Sequence, residues 1–97
     1  MERDLDWQRY RRLSFCRDAS VNDTLQRAAF EIARGKLAAR AYVDETARRV
    51  AHVTLDDCAA NLATSIGSWE RTFNRIEFLA ACGPCYVRPA PCSCGCY

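Results

Sequence analysis

A chain of 97 residues is long enough for one domain with a modest core, but too short for a core and an elaborate active-site cleft together. Hydrophobic residues make up 49% of it, which excludes a disordered chain, and the net charge of +2 comes from fourteen basic and twelve acidic residues that alternate along the sequence. Because no block carries one sign of charge, we expect no nucleic-acid partner. No stretch resembles a signal peptide or approaches transmembrane length, so we expect a cytoplasmic protein without a membrane partner.

The first residues predict a short helix whose aromatic side chains pack on the rest of the body. Its apolar residues, and those just after it, are Leu5, Trp7, Tyr10, Leu13 and Phe15. A second helix is predicted over residues 21–34, because apolar side chains recur there at helical spacing. Ser20 is a candidate N-cap for this helix, and Gly35 is a candidate stop.

Residues 36–53 fit two kinds of structure. The spacing of Leu37 and Ala41, and then of Val43 and later apolar residues, suits a helix, which is the structure we predict. Short strands at residues 41–43 and 50–53 are the alternative.

The clearest element is a long helix predicted over residues 55–80. Apolar residues recur there at steps of three and four: Leu55, Cys58, Leu62, Ile66, Trp69, Phe73, Ile76 and Ala80. Thr54 is its candidate N-cap, and Gly67 is a tolerated glycine or a bend. The stripe places Trp69 and Phe73 in the core. Together these elements predict an all-α fold, a small antiparallel helical bundle.

The chain changes character after Ala81. Five of its seven cysteines lie in the last sixteen residues, where prolines and glycines interrupt any helix. We therefore divide the chain into a helical body, residues 1–81, and an irregular tail rich in Cys, Pro and Gly, residues 82–97. Thiols are ligands, nucleophiles and substrates for modification, so we expect the function to lie in the tail.

One interpretation of the tail is a metal site. All five of its cysteines are candidate thiolate ligands: Cys82, Cys85, Cys92, Cys94 and Cys96. They form two local groups, and tight turns within each group would let the sulfurs converge on one tetrahedral ion. Soft thiolates suit zinc and copper(I) alike, so either metal is a candidate cofactor.

A second interpretation is thiol-disulfide exchange. The sequence Ile76-Glu77-Phe78-Leu79-Ala80-Ala81-Cys82-Gly83-Pro84-Cys85 resembles the strand and active site of thioredoxins, in which the start of a helix lowers the pKa of the first thiol. The resemblance implies a redox pair formed by Cys82 and Cys85. It ends there, because Pro89 and Pro91 would break the helix that follows. Dithiol exchange on a different fold remains an alternative.

A third interpretation makes the tail a substrate. The segments Cys82-Gly83-Pro84-Cys85-Tyr86 and Pro91-Cys92-Ser93-Cys94, with residues 87–90 between them, resemble the methanobactin core Cys-Gly-x-Cys-Tyr-Pro-Cys-Ser-Cys. Methanobactins are ribosomally made peptides whose precursors carry a leader, which a processing enzyme binds, before a modified core. The resemblance implies that Cys82 and Cys92 become oxazolone and thioamide groups that chelate copper, and that Cys85 and Cys94 form a disulfide. Cys96 has no counterpart, and the final Cys-Ser-Cys-Gly-Cys also resembles cores cyclised to thiazoles.

Outside the tail, no pattern indicates catalysis, and we expect that the chain is not an enzyme. Cys16 and Cys58 lie far from the cluster, and Cys58 is predicted to be buried because it falls on the apolar stripe. His52 is predicted to be a partly buried structural residue. The adjacent carboxylates at residues 44–45 and 56–57 are predicted to be surface and capping groups.

The sequence therefore favours a precursor peptide in which Cys82 and Cys92 are modified by a partner enzyme that binds the helical body. The product would be a copper-chelating or heterocyclised peptide, made in the cytoplasm and a candidate for export once mature. Thiolate binding of zinc or copper by the unmodified tail is the alternative, and thiol-disulfide exchange is the second alternative.

Overall fold

The computed structural model describes residues 2–83, with side chains from Trp7 onward. These residues form four helices and no strand, which confirms the predicted all-α class: α1 (Glu2–Arg11), α2 (Ala19–Ala39), α3 (Glu45–Gly67) and α4 (Arg75–Ala81). The predicted irregular tail lies outside the described residues from residue 84 onward. No helix in the described part of the chain is both long and apolar enough to cross a bilayer.

The central helix is α2, which packs against the other three. Asp18 caps its start by accepting a hydrogen bond of 3.0 Å from the amide of Val21, so the predicted cap, Ser20, lies inside the first turn. The helix also continues past Gly35, where we predicted that it would stop. A Cβ atom at Gly35 would approach Leu55 Cδ1 to 3.1 Å, so this glycine permits close packing of α2 on α3 instead of ending a helix.

The third helix begins earlier than predicted. Asp44 caps it by accepting a hydrogen bond of 3.1 Å from the amide of Ala47, and Glu45 places a second carboxylate in the first turn, where the helix dipole favours negative charge. Thr54, the predicted cap, therefore lies inside α3.

Residues 36–53 are shared between the end of α2, a turn at residues 40–44 and the first part of α3. The helical prediction is confirmed for most of this segment. The alternative of short strands is wrong, because residues 41–43 lie in the turn and residues 50–53 lie inside α3.

The predicted continuous helix over residues 55–80 is also wrong, because α3 ends at Gly67 and α4 begins only at Arg75. Side chains between them bond to nearby backbone, which competes with helix formation. The hydroxyl of Ser68 donates to a carbonyl one turn earlier at 2.6 Å, and the amide of Thr72 donates to a neighbouring carboxylate at 3.1 Å. The apolar periodicity crosses the break because residues on both sides of it pack on the same core.

The break changes the environment of the two aromatic residues that were predicted to be in the core. Trp69 is 58% exposed, so its predicted burial is wrong. Phe73 packs against the core, with its ring centroid 5.7 Å from that of Phe78. Helical spacing could not separate the two cases, because the turn after Gly67 ends the helical register.

Aromatic side chains join the helices in the core. The ring of Tyr10 lies 5.2 Å from that of Phe30, which connects α1 to α2. The ring of Phe15 meets that of Phe78 edge to face, at 5.5 Å and 86°, which connects the α1–α2 link to α4. Each such pair adds about 0.5–1.5 kcal/mol beyond the burial of its area. These contacts bring the end of α4, where the tail begins, against α1 and α2.

Candidate functional site at the exit of the tail

The start of α4 is fixed to the link between α1 and α2. The amide of Asn74 donates a hydrogen bond of 2.7 Å to the carbonyl of Phe15. The side chain of the same asparagine accepts a hydrogen bond of 3.1 Å from the amide of Glu77, which caps the helix. Tertiary contacts therefore fix the position of α4, the helix that precedes the tail.

The inner face of α4 is held by Phe78, whose side chain is fully buried between the rings of Phe15 and Phe73. A helix of seven residues has little stability of its own, because the first turn is costly to form and few bonds follow it. The helical structure of α4 therefore depends on the side chains that it buries in the core. If α4 moved away from the core, it would lose its helical structure.

Three hydrogen bonds close the end of α4. The hydroxyl of Tyr10 donates to the carbonyl of Ala81 at 2.6 Å, in the core. The amide of Cys82 donates to the carbonyl of Phe78 at 3.1 Å, and the amide of Gly83 donates to that of Ala80 at the same distance. The carbonyls of Phe78, Ala80 and Ala81 are thus satisfied, and the described part of the body reaches Gly83.

Cys82 is part of the hydrophobic core, with only 1% of its surface exposed. Burial raises the pKa of its thiol from the ordinary value of 9.0 to about 12; the charge of Lys36 opposes this shift, and that of Asp56 adds to it. Lys36 and Asp56 form an ion pair between α2 and α3, and the lysine side chain is only 9% exposed. The sulfur is therefore protonated near neutral pH and shielded from reagents.

This environment bears on each role predicted for Cys82. A metal ligand or a nucleophile has to be a thiolate that a partner can reach, and a redox-active first cysteine has a lowered pKa. Cys82 has a raised pKa and almost no exposed surface, which argues against the thioredoxin-like interpretation. Coordination or modification of this residue requires that it first leave the core. The other predicted site residues, which are Cys85, Cys92, Cys94 and Cys96, lie outside the described residues.

The remaining cysteines of the body do not join Cys82. Cys16 is buried and donates a weak hydrogen bond of 3.6 Å to the carbonyl of Asp18, and burial raises its pKa. Cys58 is exposed, so its predicted burial is wrong: α3 buries Ala59 and Ala63 and leaves Cys58 on the outer side. Within residues 2–83, no three His, Cys, Asp or Glu side chains are grouped to hold a metal ion.

His52 and the paired carboxylates of the body lie in the environments predicted for them. His52 is partly buried, as predicted. Of the paired carboxylates, Asp44 caps α3 and Asp56 pairs with Lys36, which agrees with the prediction of capping and surface roles.

Three contacts around α4 and Cys82 were missed from the sequence: the Tyr10–Ala81 hydrogen bond, the Lys36–Asp56 ion pair and the Asn74 cap. Only Asn74 carried a local signal, because an asparagine followed three residues later by Glu77 is typical of a helix start. Tyr10 and Lys36 act on residues far along the chain, which no local pattern indicates. The chain matches no protein-family model, no curated protein and no solved structure.

Proposed function

We propose that the chain is the precursor of a ribosomally synthesised, post-translationally modified peptide, in which the helical body serves as leader and the tail as substrate. The observation that carries this proposal is the point at which the cysteine-rich tail leaves the helical body. The described body closes its core around Ala81 and Cys82, and four more cysteines follow within fourteen residues of Gly83. A folded body that ends where a cysteine cluster begins has the polarity of a leader and a core peptide.

The chemistry proposed for the tail follows its resemblance to methanobactins. Cys82 and Cys92 would be converted to copper-chelating groups, or several tail cysteines would be cyclised to thiazoles. The chain supplies no catalytic group in this proposal, so the reaction belongs to a partner enzyme that binds the body. For Cys82, that enzyme also has to displace α4, because the sulfur is buried in the closed body. Modification would take place in the cytoplasm, with the mature tail as a candidate for export.

Intact mass tests the proposal. The chain is coexpressed with enzymes encoded beside its gene, purified, and measured by intact and tandem mass spectrometry. We expect a mass change on the tail that is lost, in part, in each of Cys82→Ser and Cys92→Ser. The matched control replaces Cys16 and Cys58 by serine and should keep the change. An unaltered mass, both in coexpression and in the chain isolated from its native host, would exclude the precursor function.

Direct metal binding by the unmodified tail is the second candidate, and the burial of Cys82 is the observation that favours it. With Cys82 in the core, Cys85, Cys92, Cys94 and Cys96 remain, which is the number of ligands in a tetrahedral zinc site. In this version Cys82→Ser retains one bound zinc or copper(I) ion per chain, whereas Cys94→Ser loses it. Metal analysis of the two variants in reduced form tests this four-cysteine site, and equal metal binding by Cys82→Ser and Cys94→Ser would contradict it.

A further inference from the structure

A surface cavity of about 420 Å³ lies at the corner where α3 ends and α4 begins. This volume falls in the lower part of the range of ligand pockets, about 300–1,000 Å³. Its wall includes the guanidinium-bearing residues Arg71 and Arg75, and the hydroxyl-bearing residues Thr64 and Ser68; Phe73 also lines it. The cavity therefore combines cationic, hydroxyl and aromatic groups.

The two arginines of the cavity are exposed, and neither pairs with a carboxylate among residues 7–83. The one acidic residue on the wall, Glu70, already accepts hydrogen bonds from the amide and the hydroxyl of Thr72, at 3.1 and 2.9 Å. Guanidinium groups bind carboxylates through paired hydrogen bonds, so the donors of Arg71 and Arg75 suit a carboxylate-bearing partner.

Large apolar side chains adjoin these charges in sequence. Trp69 follows Ser68 and is 58% exposed, and Ile76 follows Arg75 and is 83% exposed. Tryptophan and arginine are the residues most enriched where protein interfaces bind tightly. A partner that places apolar side chains here would cover surface that the body leaves in water.

We propose that this corner, where Arg71 and Arg75 line the cavity and the exposed Trp69 and Ile76 stand beside lining residues in sequence, is the docking surface for the modifying enzyme, and that it binds an acidic segment bearing apolar side chains. The proposal rests on the precursor function and names the partner chemistry of that function. The seven residues of α4 span about 10 Å at 1.5 Å per residue, so a partner bound at Arg75 lies close to Cys82. Docking there would also place the enzyme on the helix that has to open.

The probe for the first experiment is a short fluorescent peptide of glutamate and leucine, measured by fluorescence anisotropy. Two control peptides replace its glutamates by lysine or its leucines by serine. We expect saturable binding of the first peptide only, weakened at least tenfold by Arg71→Glu with Arg75→Glu, and similarly by Trp69→Ala. The matched control, Arg11→Glu with Arg12→Glu, reverses two other exposed arginines and should leave binding unchanged. Equal binding by the corner variant and this control would overturn the docking surface.

A second experiment separates this proposal from the precursor function. Each variant is coexpressed with the modifying enzyme, circular dichroism confirms that it is folded, and the modified fraction of the tail is measured by mass. Slower modification of the Arg71 and Arg75 variant alone supports the docking surface. Full modification of that variant refutes the surface and leaves the precursor function intact. Peptide binding at the corner, with no modification of any chain in coexpression or in the native host, refutes the precursor function and retains the corner only as a surface that binds acidic, apolar segments.

Discussion

Replacing Tyr10 by phenylalanine should make Cys82 reactive without unfolding the body. The Tyr10 hydroxyl donates a hydrogen bond of 2.6 Å to the carbonyl of Ala81, and both residues are fully buried. Losing the donor leaves the carbonyl unsatisfied in the core, which costs about 1–3 kcal/mol. Because this bond ties the end of α4 to α1, we expect the closed position of α4 to lose that energy. Opening of this end should become about tenfold more frequent, since a factor of ten corresponds to about 1.4 kcal/mol.

The baseline reactivity of Cys82 follows from its pKa. A thiol at the ordinary value of 9.0 is about one-tenth thiolate near pH 8, whereas a pKa of about 12 leaves roughly one thiolate in ten thousand. Since the thiolate is the reacting species, burial alone should slow alkylation of Cys82 about a thousandfold. Steric shielding of the sulfur slows it further, so labelling in the folded protein proceeds through opening of α4.

The assay uses a chain in which Cys58 and Cys82 are the only cysteines, the other five being replaced by serine. Exposed Cys58 then serves as the internal reference for alkylation by iodoacetamide, and each site is quantified by peptide mass spectrometry. In the parent, Cys82 should label much more slowly than Cys58, by a factor set by how seldom the end of α4 opens. With Tyr10→Phe, Cys82 labelling should rise about tenfold while Cys58 labelling stays constant.

Two results would refute this reasoning. If Cys82 labels as fast as Cys58 in the parent, the sulfur does not lie in the core. If Tyr10→Phe lowers the unfolding midpoint in urea but leaves the rate at Cys82 unchanged, the hydrogen bond stabilises the body as a whole and does not control the end of α4.

Three further predictions test the packing around the exit. Burial of a thiol stabilises its protonated form, so the stability that Cys82 contributes is complete below about pH 9 and is lost as pH rises toward 12. In urea titrations across that window, the free energy of unfolding of the parent should fall by up to about 4 kcal/mol relative to that of Cys82→Ala. Parallel curves for the two proteins would contradict the burial of Cys82. Phe78→Ala should cost about 3–5 kcal/mol and unfold much of the body, whereas Trp69→Ala should change stability by less than about 0.5 kcal/mol; thermal melts with equal losses would show that the exposure of Trp69 is wrong. Asn74→Ala should remove the cap of α4 at a cost of about 1 kcal/mol, and Asn74→Asp, which keeps the capping oxygen, should restore it; failure of that rescue in urea unfolding would count against the cap.

The all-α class was predictable because the spacing of apolar residues along the chain is enough to indicate helices. Apolar side chains at steps of three and four mark α2 and α3 whatever their partners, and both were expected from the sequence. Helix ends were predicted less well, because several residues fit each role. Gly35 has the chemistry of a stop, yet it serves a close contact with Leu55 that only the packed helices create. Asp18 and Ser20 are both of capping residue types, but the helix begins at Ala19, so Asp18 is the N-cap.

The environment of the candidate site was less predictable. Cysteine spacing singles out Cys82 as part of the tail, but its surroundings come from far earlier in the chain: Tyr10 bonds the neighbouring Ala81, and the charge of Lys36 acts on the thiol. The stripe that wrongly buried Trp69 also correctly placed Phe73 against the core, and only the turn after Gly67 separates them. Such long-range contacts are set by tertiary packing, which periodicity along one helix does not encode.

If the tail is modified as proposed, the burial of Cys82 makes the packing of the body depend on that modification. A thiol fits the space beside Tyr10 and the Lys36–Asp56 pair, but a sulfur that has been alkylated or built into a ring is larger and cannot return to it. A chemical change at residue 82 would therefore hold α4 away from the core permanently. The finished precursor would then differ from the starting one in its leader as well as its tail, and a protease or exporter that recognises a loosened bundle could select processed chains without contacting the modified group itself.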